Sequence, residues 1–296
     1  MQKSKVRELK NSLKEAASWV QKGLDSISMY NDALSRLPRL AGYSLNSGGK
    51  KVRPFLVKCA CLALEGEPEK ALSSACAVEM IHTYSLVHDD LPAMDDDELR
   101  RGKPTLHIRA GADQALLAGD LLLVEAFGEI LKTPLGPSLR ARMTGMLAAA
   151  AGPGYLVGGQ YMDMYHLENA GMKWVRGMIL GKTAAMIRVS MELGALTAGA
   201  DEVLVKRISE IGNRLGLLFQ LTDDILDKCG TEEEMGKEVA KDCQQGKRNL
   251  VSIMGLDQAR IRAEELAESL CRQLLDLTGK WDTVARLAMY LPERRA

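Results

Sequence analysis

Aromatic residues are scarce. Three Phe, three Trp and seven Tyr make up 4% of the chain, so aliphatic side chains must fill any core. Net charge is missing as well: 39 basic residues balance 39 acidic ones, which argues against the broad positive footprint of a nucleic-acid binder. No apolar run reaches the ~18–20 residues of a membrane span. No apolar signal core follows the charged opening "MQKSKVRELKNSLKEAA", and a cytoplasmic location is expected. Six cysteines stand at 59, 61, 76, 229, 243 and 271. Cys59-Ala-Cys61 is too tight for the usual zinc spacing and no second pair answers it. They read as small apolar residues of a reducing compartment.

Helix formers and helical spacing dominate what is there. Leu204, Ile208, Ile211, Leu215, Leu218, Thr222 and Ile225 follow one another at steps of three or four, the mark of one buried helix face. Further helices are expected over roughly 5–35, 53–64, 70–91, 112–132, 138–150, 173–198 and 257–277, with Gly and Pro clusters between them. Alternating strand patterns and repeats are not evident, and no linker splits the chain. The expectation is an all-α fold of about ten or more helices, forming a single domain over 1–296.

Five aspartates crowd into nine residues of "LVHDDLPAMDDDELRRGKP" (86–104). Glu79, His82, Ser85 and Asp89 form a polar stripe on the helix leading into them. Asp89 and Asp95 would stand about 120° apart on an unbroken helix. Pro92 disrupts that helix against the carbonyl of His88, which lets the chain bulge and bring Asp95 back beside Asp89. Carboxylates at a helix C-terminus oppose its dipole and one another, and a hard cation such as Mg²⁺ or Ca²⁺ would remove both objections. The contiguous acids 95–97 lack the glycine of an EF-hand. A second group, "FQLTDDILD" (219–227), sets Asp223 and Asp227 one turn apart on one face. Asp224 turns about 100° away, toward a capping or supporting place. Either group alone could be a solvated acidic surface. Together they suggest two walls of one pocket that binds a polyanion through Mg²⁺. Nearby basic residues suit phosphate oxygens: Lys50 and Arg53 in "GGKKVRP", then Arg100, Arg101, Lys182, Lys237 and Lys247.

At these residues the chain resembles the trans-prenyl diphosphate synthases, most of all the bacterial short-chain farnesyl and geranylgeranyl diphosphate synthases. "GGKKVRPFL", "VEMIHTYSL", "LLAGDLLL", "GGQYMDM", "GKTAAMIR" and "GKEVAKDCQQGK" follow in the family's order over about residues 40–290. The resemblance implies helices around a deep central cavity, a homodimer and Mg²⁺, three ions per site. It implies metal binding by Asp89, Asp95 and Asp223, helped by Asp90 and Asp227. It gives Arg100, Lys182, Lys237 and Lys247 to the allylic diphosphate (dimethylallyl or geranyl). Lys50, Arg53, His82 and Arg101 would hold isopentenyl diphosphate. Thr183 and Gln220 would line the reacting end, with Gln160 and Asp163 nearby. Two places depart from the family pattern: 247–251 reads Lys-Arg-Asn-Leu-Val, and Ala240 replaces a common glycine.

Tyr84 precedes the first aspartate by five positions and Ser85 by four. A tail anchored at Asp89 would run down this helix past the small Ser85, and Tyr84 would close the floor. That expectation favours a farnesyl (C15) product, with geranylgeranyl (C20) as the alternative. Rival readings are a metal-dependent phosphohydrolase using His88-Asp89, a non-catalytic partner subunit, and a terpene cyclase.

Overall fold

The computed structural model describes residues 3–27, 36–165, 171–229 and 248–294. Their helices run α1 (Lys3–Asp25), α2 (Leu37–Leu45), α3 (Val52–Ala63), α4 (Leu72–Asp89), α5 (Leu106–Ala110), α6 (Ala112–Ile130), α7 (Pro137–Ala151), α8 (Leu156–Met164), α9 (Met172–Ile179), α10 (Ala185–Thr197), α11 (Glu202–Cys229), α12 (Leu250–Met254), α13 (Leu256–Leu275) and α14 (Asp282–Tyr290). The all-α expectation holds.

The periodic series lies along α11, where Ile208, Ile211, Leu215, Leu218 and Thr222 are all buried. Its one polar member satisfies itself, Thr222 Oγ1 donating to the carbonyl of Phe219. α10 is buried on nearly every side, as a helix apolar all round must be. It joins two apolar clusters. Val189 and Leu193 pack with α4 and α6, while Ile187 and Met191 pack with α11 and α13. No described helix is long and apolar enough to cross a membrane.

Three expectations need correction. The helix placed over 5–35 ends at Asp25, where Ser26 turns its hydroxyl onto the carbonyl of Gly23. The helix placed over 173–198 is interrupted by a π turn, Leu180–Ala184. Gly181 passes so close to α8 that a Cβ there would lie 2.7 Å from the carbonyl oxygen of Tyr155. That tertiary approach opens the wide turn. The third correction is a small antiparallel hairpin, β1 (Leu99–Arg100) with β2 (Lys103–Pro104). Arg101 and Gly102 between them have φ of +54° and +72°, the positive values that two-residue hairpin turns demand.

Candidate active site

α4 ends in the first acidic group, and its backbone bonds explain the shape. Leu91 N–H reaches only as far back as His88 O, and Asp95 N–H donates to Asp89 O at 2.9 Å. The chain therefore bulges at Pro92 and returns, and Asp95 comes back to Asp89. Burial pushes the Asp89 carboxyl up to about 6; Lys182 counters this, and the neighbouring Asp95 adds to it.

The hairpin carries the two arginines. Arg100 Nε donates to both oxygens of the buried Asp90, at 2.6 and 2.9 Å, and its Nη2 reaches Asp97 at 3.4 Å. Burial works to lower the Arg100 pKa, but the Asp90 bond and charge outweigh it and raise it. Arg101 donates to the carbonyl of Gly48 and its guanidinium lies against Gly49, whose φ of +104° favours glycine. Tyr43 of α2 braces the hairpin, its hydroxyl donating to Pro104 O at 2.7 Å.

Arg53 and Arg101 lie around His82 in one basic cluster, while Lys50 sits apart, toward Arg294 and Lys10. Burial, then the charges of Arg53 and Arg101, hold the His82 imidazole well below its ordinary value and keep it neutral. Arg53 is pushed down to about 10 by burial; Glu79 supports its charge and Arg101 opposes it. The Lys50 ammonium is lowered by burial and by Arg294.

The π turn aims Lys182 into the site. Lys182 Nζ bonds Asp163 of α8 at 2.5 Å. Burial lowers its pKa, but Asp163, Asp89 and Asp95 together raise it, so it faces the first acidic group. Thr183 Oγ1 donates to Gln220 Oε1 at 2.8 Å, and Gln220 Nε2 donates to Asp224 Oδ1 at 2.9 Å. Both polar side-chain atoms of Gln160 are buried with no hydrogen-bond partner.

The second acidic group splits three ways. Asp224 is buried and accepts Leu250 N–H at 3.0 Å. It is therefore tied to α12, not turned to the face of Asp223 and Asp227, as the 100° offset suggests. Asn249 caps that helix, trading bonds with Ser252, and Leu250 and Val251 are buried, so the residues that depart from the family pattern have structural places. Asp223 accepts from Arg294, whose guanidinium also stacks on Phe219 at 4.9 Å. Asp227 is exposed at the far end of the pair. Lys237, Lys247 and Ala240 lie outside the described residues.

A divalent cation fits the donors present. They are carboxylate oxygens, and Asp89 and Asp95 are drawn together by the backbone. Among the described residues no three His, Cys, Asp or Glu side chains alone could hold an ion, so an ion here would also draw on substrate oxygens, as Mg²⁺ commonly does.

Lys51, Glu79 in its pairing role, Tyr43 and Arg294 escaped the sequence reading. Glu79 was visible only as part of the polar stripe. The partners of the other three are distant in sequence and leave no local pattern.

The polyprenyl synthetase family matches residues 35–280. The large subunit 1 of the heterodimeric geranylgeranyl pyrophosphate synthase of Arabidopsis thaliana is 41% identical, over 94% of this chain and 77% of its own. The geranylgeranyl pyrophosphate synthase of Capsicum annuum is 44% identical over 78% and 64%. The geranylgeranyl pyrophosphate synthetase of Pyrococcus horikoshii superposes with a TM-score of 0.88 at 29% identity, over 98% of this chain and all of that one. A Helicobacter pylori geranyltransferase, solved with magnesium and isoprenyl diphosphate, gives 0.83 at 28% identity, over 99% and 97%. With its acidic helix ends, its cationic cluster and these relatives in agreement, the chain belongs to the polyprenyl synthetase family, as a prenyltransferase of the short-chain prenyl diphosphate synthase kind.

Proposed function

We propose that the protein condenses isopentenyl diphosphate head to tail, in the trans configuration, with an allylic diphosphate and releases diphosphate. The observation that carries this is the pairing of two unlike anion sites beside one helix end. One combines Asp89 and Asp95 with Lys182; the other is the cluster of Arg53, His82 and Arg101, with Lys50 reaching in from the loop before Arg53 as the motif suggests. One site suits a diphosphate bound together with a cation, the other a bare diphosphate.

Asp89, Asp95 and Asp223 would hold Mg²⁺, three ions in the full site, with Asp90 and Asp227 assisting. When bound, the metal supplies Lewis-acid neutralisation of the departing diphosphate. Arg100 and Lys182, with Lys237 and Lys247, hold the allylic diphosphate. Its C–O bond breaks and leaves an allylic cation beside the Thr183 and Gln220 oxygens. The double bond of isopentenyl diphosphate, fixed by the cationic cluster, attacks that carbon. The proton lost from the adduct goes to the released diphosphate. Positioning and fixed dipoles do the catalysis.

For the product we now favour C20 over C15. The support is the geranylgeranyl synthases among the relatives and the place of Tyr84. Its ring is buried edge-on to His88, 5.8 Å between centroids, and His88 Nε2 sits 3.0 Å from Leu116 O of α6. We take Tyr84, buried in the core it shares with α6, as a side wall, and the small Ser85 as leaving room for a tail beside Asp89.

We further propose one domain over 1–296 and a homodimer. Leu117, Val124 and Leu131, one heptad apart on the α6 side, are 53%, 67% and 46% exposed, and a second copy would cover them. The compartment we propose is a reducing one, cytoplasm or, following the names of the plant relatives, plastid.

The test is Mg²⁺-dependent diphosphate release. It should require isopentenyl and allylic diphosphate together. Release from either alone would replace this reading with a hydrolase.

A further inference from the structure

Lys51 stands between two residues assigned to substrate, yet it is 6% exposed. Its Nζ donates to Leu45 O and Glu79 Oε1, both at 2.8 Å. Its backbone is left-handed, with φ of 45° and ψ of 43°, a conformation that side-chain-bearing residues adopt only where the surroundings hold them. Glu79 is 1% exposed and its Oε2 is buried with no hydrogen-bond partner; Arg53 Nε is in the same condition. The Glu79 charge reaches both Arg53 and Arg101 and favours their charged forms. One buried carboxylate therefore serves several cations. A guanidinium fork matches a carboxylate better than an ammonium does, so without Lys51 this carboxylate would take Arg53.

We propose that Lys51 is a positioning residue: by bonding Glu79 through Oε1 and offsetting its charge, it keeps the Arg53 guanidinium from being drawn onto that carboxylate and available for the diphosphate of isopentenyl diphosphate. This rests on the prenyltransferase reading above. It accounts for a buried lysine in a loop of cations, for its left-handed backbone, and for an Arg53 guanidinium whose buried Nε does not pair with the nearby Glu79.

The experiment compares wild type, K51M and K51M/E79Q. It measures KM for isopentenyl diphosphate and for geranyl diphosphate, with thermal melts alongside. K51M should raise the isopentenyl diphosphate KM about tenfold or more and leave the geranyl diphosphate KM within about twofold, because one buried charge now captures another. K51M/E79Q should bring the isopentenyl diphosphate KM back to within about threefold of wild type, since the uncharged amide introduced by E79Q no longer draws in the Arg53 guanidinium. An unchanged KM in K51M, a parallel rise for both substrates, or a double variant as poor as K51M overturns the proposal. If K51M does not fold, the double variant decides: folded with near-wild-type KM supports it, and folded with a tenfold loss or unfolded overturns it. A wild-type protein that elongates nothing sinks the prenyltransferase reading and this inference with it. A wild type that elongates beside variants that fail these expectations sinks the inference alone.

Discussion

The backbone N–H of Asp95 donates to the carbonyl oxygen of Asp89 at 2.9 Å. That single bond turns six residues of separation into adjacency and draws two carboxylates together at a helix C-terminus. Asp95→Asn keeps the size and removes the charge. It should lower kcat/KM by about 10²–10³-fold, the usual cost of deleting one charge-stabilising group, and raise the Mg²⁺ needed for half-maximal rate. An Mg²⁺ titration of initial rates checks this; a variant with wild-type Mg²⁺ dependence would take Asp95 out of the metal site.

Asp223 and Asp224 are neighbours with different work. Asp224 is bonded to Gln220 and to Leu250 N–H, so Asp224→Asn should chiefly cost stability, about 1–3 kcal/mol for a buried bond left unmade. Asp223→Asn, whose amide oxygen can still accept from Arg294, should cost less stability than Asp224→Asn and reduce the rate by about 10²-fold or more. Melts and rates of the two variants side by side separate the roles, and equal losses of rate would put Asp224 in the machinery too.

Arg294 pairs with Asp223 and stacks on Phe219. If Asp223 holds Mg²⁺ as proposed, Arg294 and the ion would compete for one carboxylate. Arg294→Ala should therefore lower the half-saturating Mg²⁺ by roughly 2–30-fold, the span of about 0.5–2 kcal/mol for such a contact. An unchanged or higher Mg²⁺ requirement would mean that Arg294 supports the site instead of blocking it.

Ser85 lies one turn below Asp89 on the same side of α4, while Tyr84 is buried beside His88. Ser85→Phe should shorten the main product to C15 or less. Tyr84→Ala should keep the C20 limit and cost about 3–5 kcal/mol of stability, as loss of a buried ring does. Products longer than C20 from Tyr84→Ala would restore Tyr84 as the floor.

Helical spacing made α11 readable residue by residue, because Ile208, Leu215 and Leu218 face one core. Pro92 made the return of Asp95 readable because its effect on the backbone is local. The π turn at Leu180–Ala184 was not readable: it depends on Gly181 meeting Tyr155, an approach between two helices. The hairpin at Leu99–Pro104 has two-residue strands, too short for any alternation to register. Within the site, the roles of Lys51 and Arg294 depend on partners 28 and 71 residues away. The residue types near the acids suggested a diphosphate site, but which charges pair with one another is a property of the fold.

The most direct test is the product itself. Purified protein with Mg²⁺, labelled isopentenyl diphosphate and the C5, C10 or C15 allylic diphosphate is followed by mass spectrometry. The account predicts elongation from each primer and a C20 diphosphate that accumulates without further extension. Folded protein that elongates none of the three would contradict it.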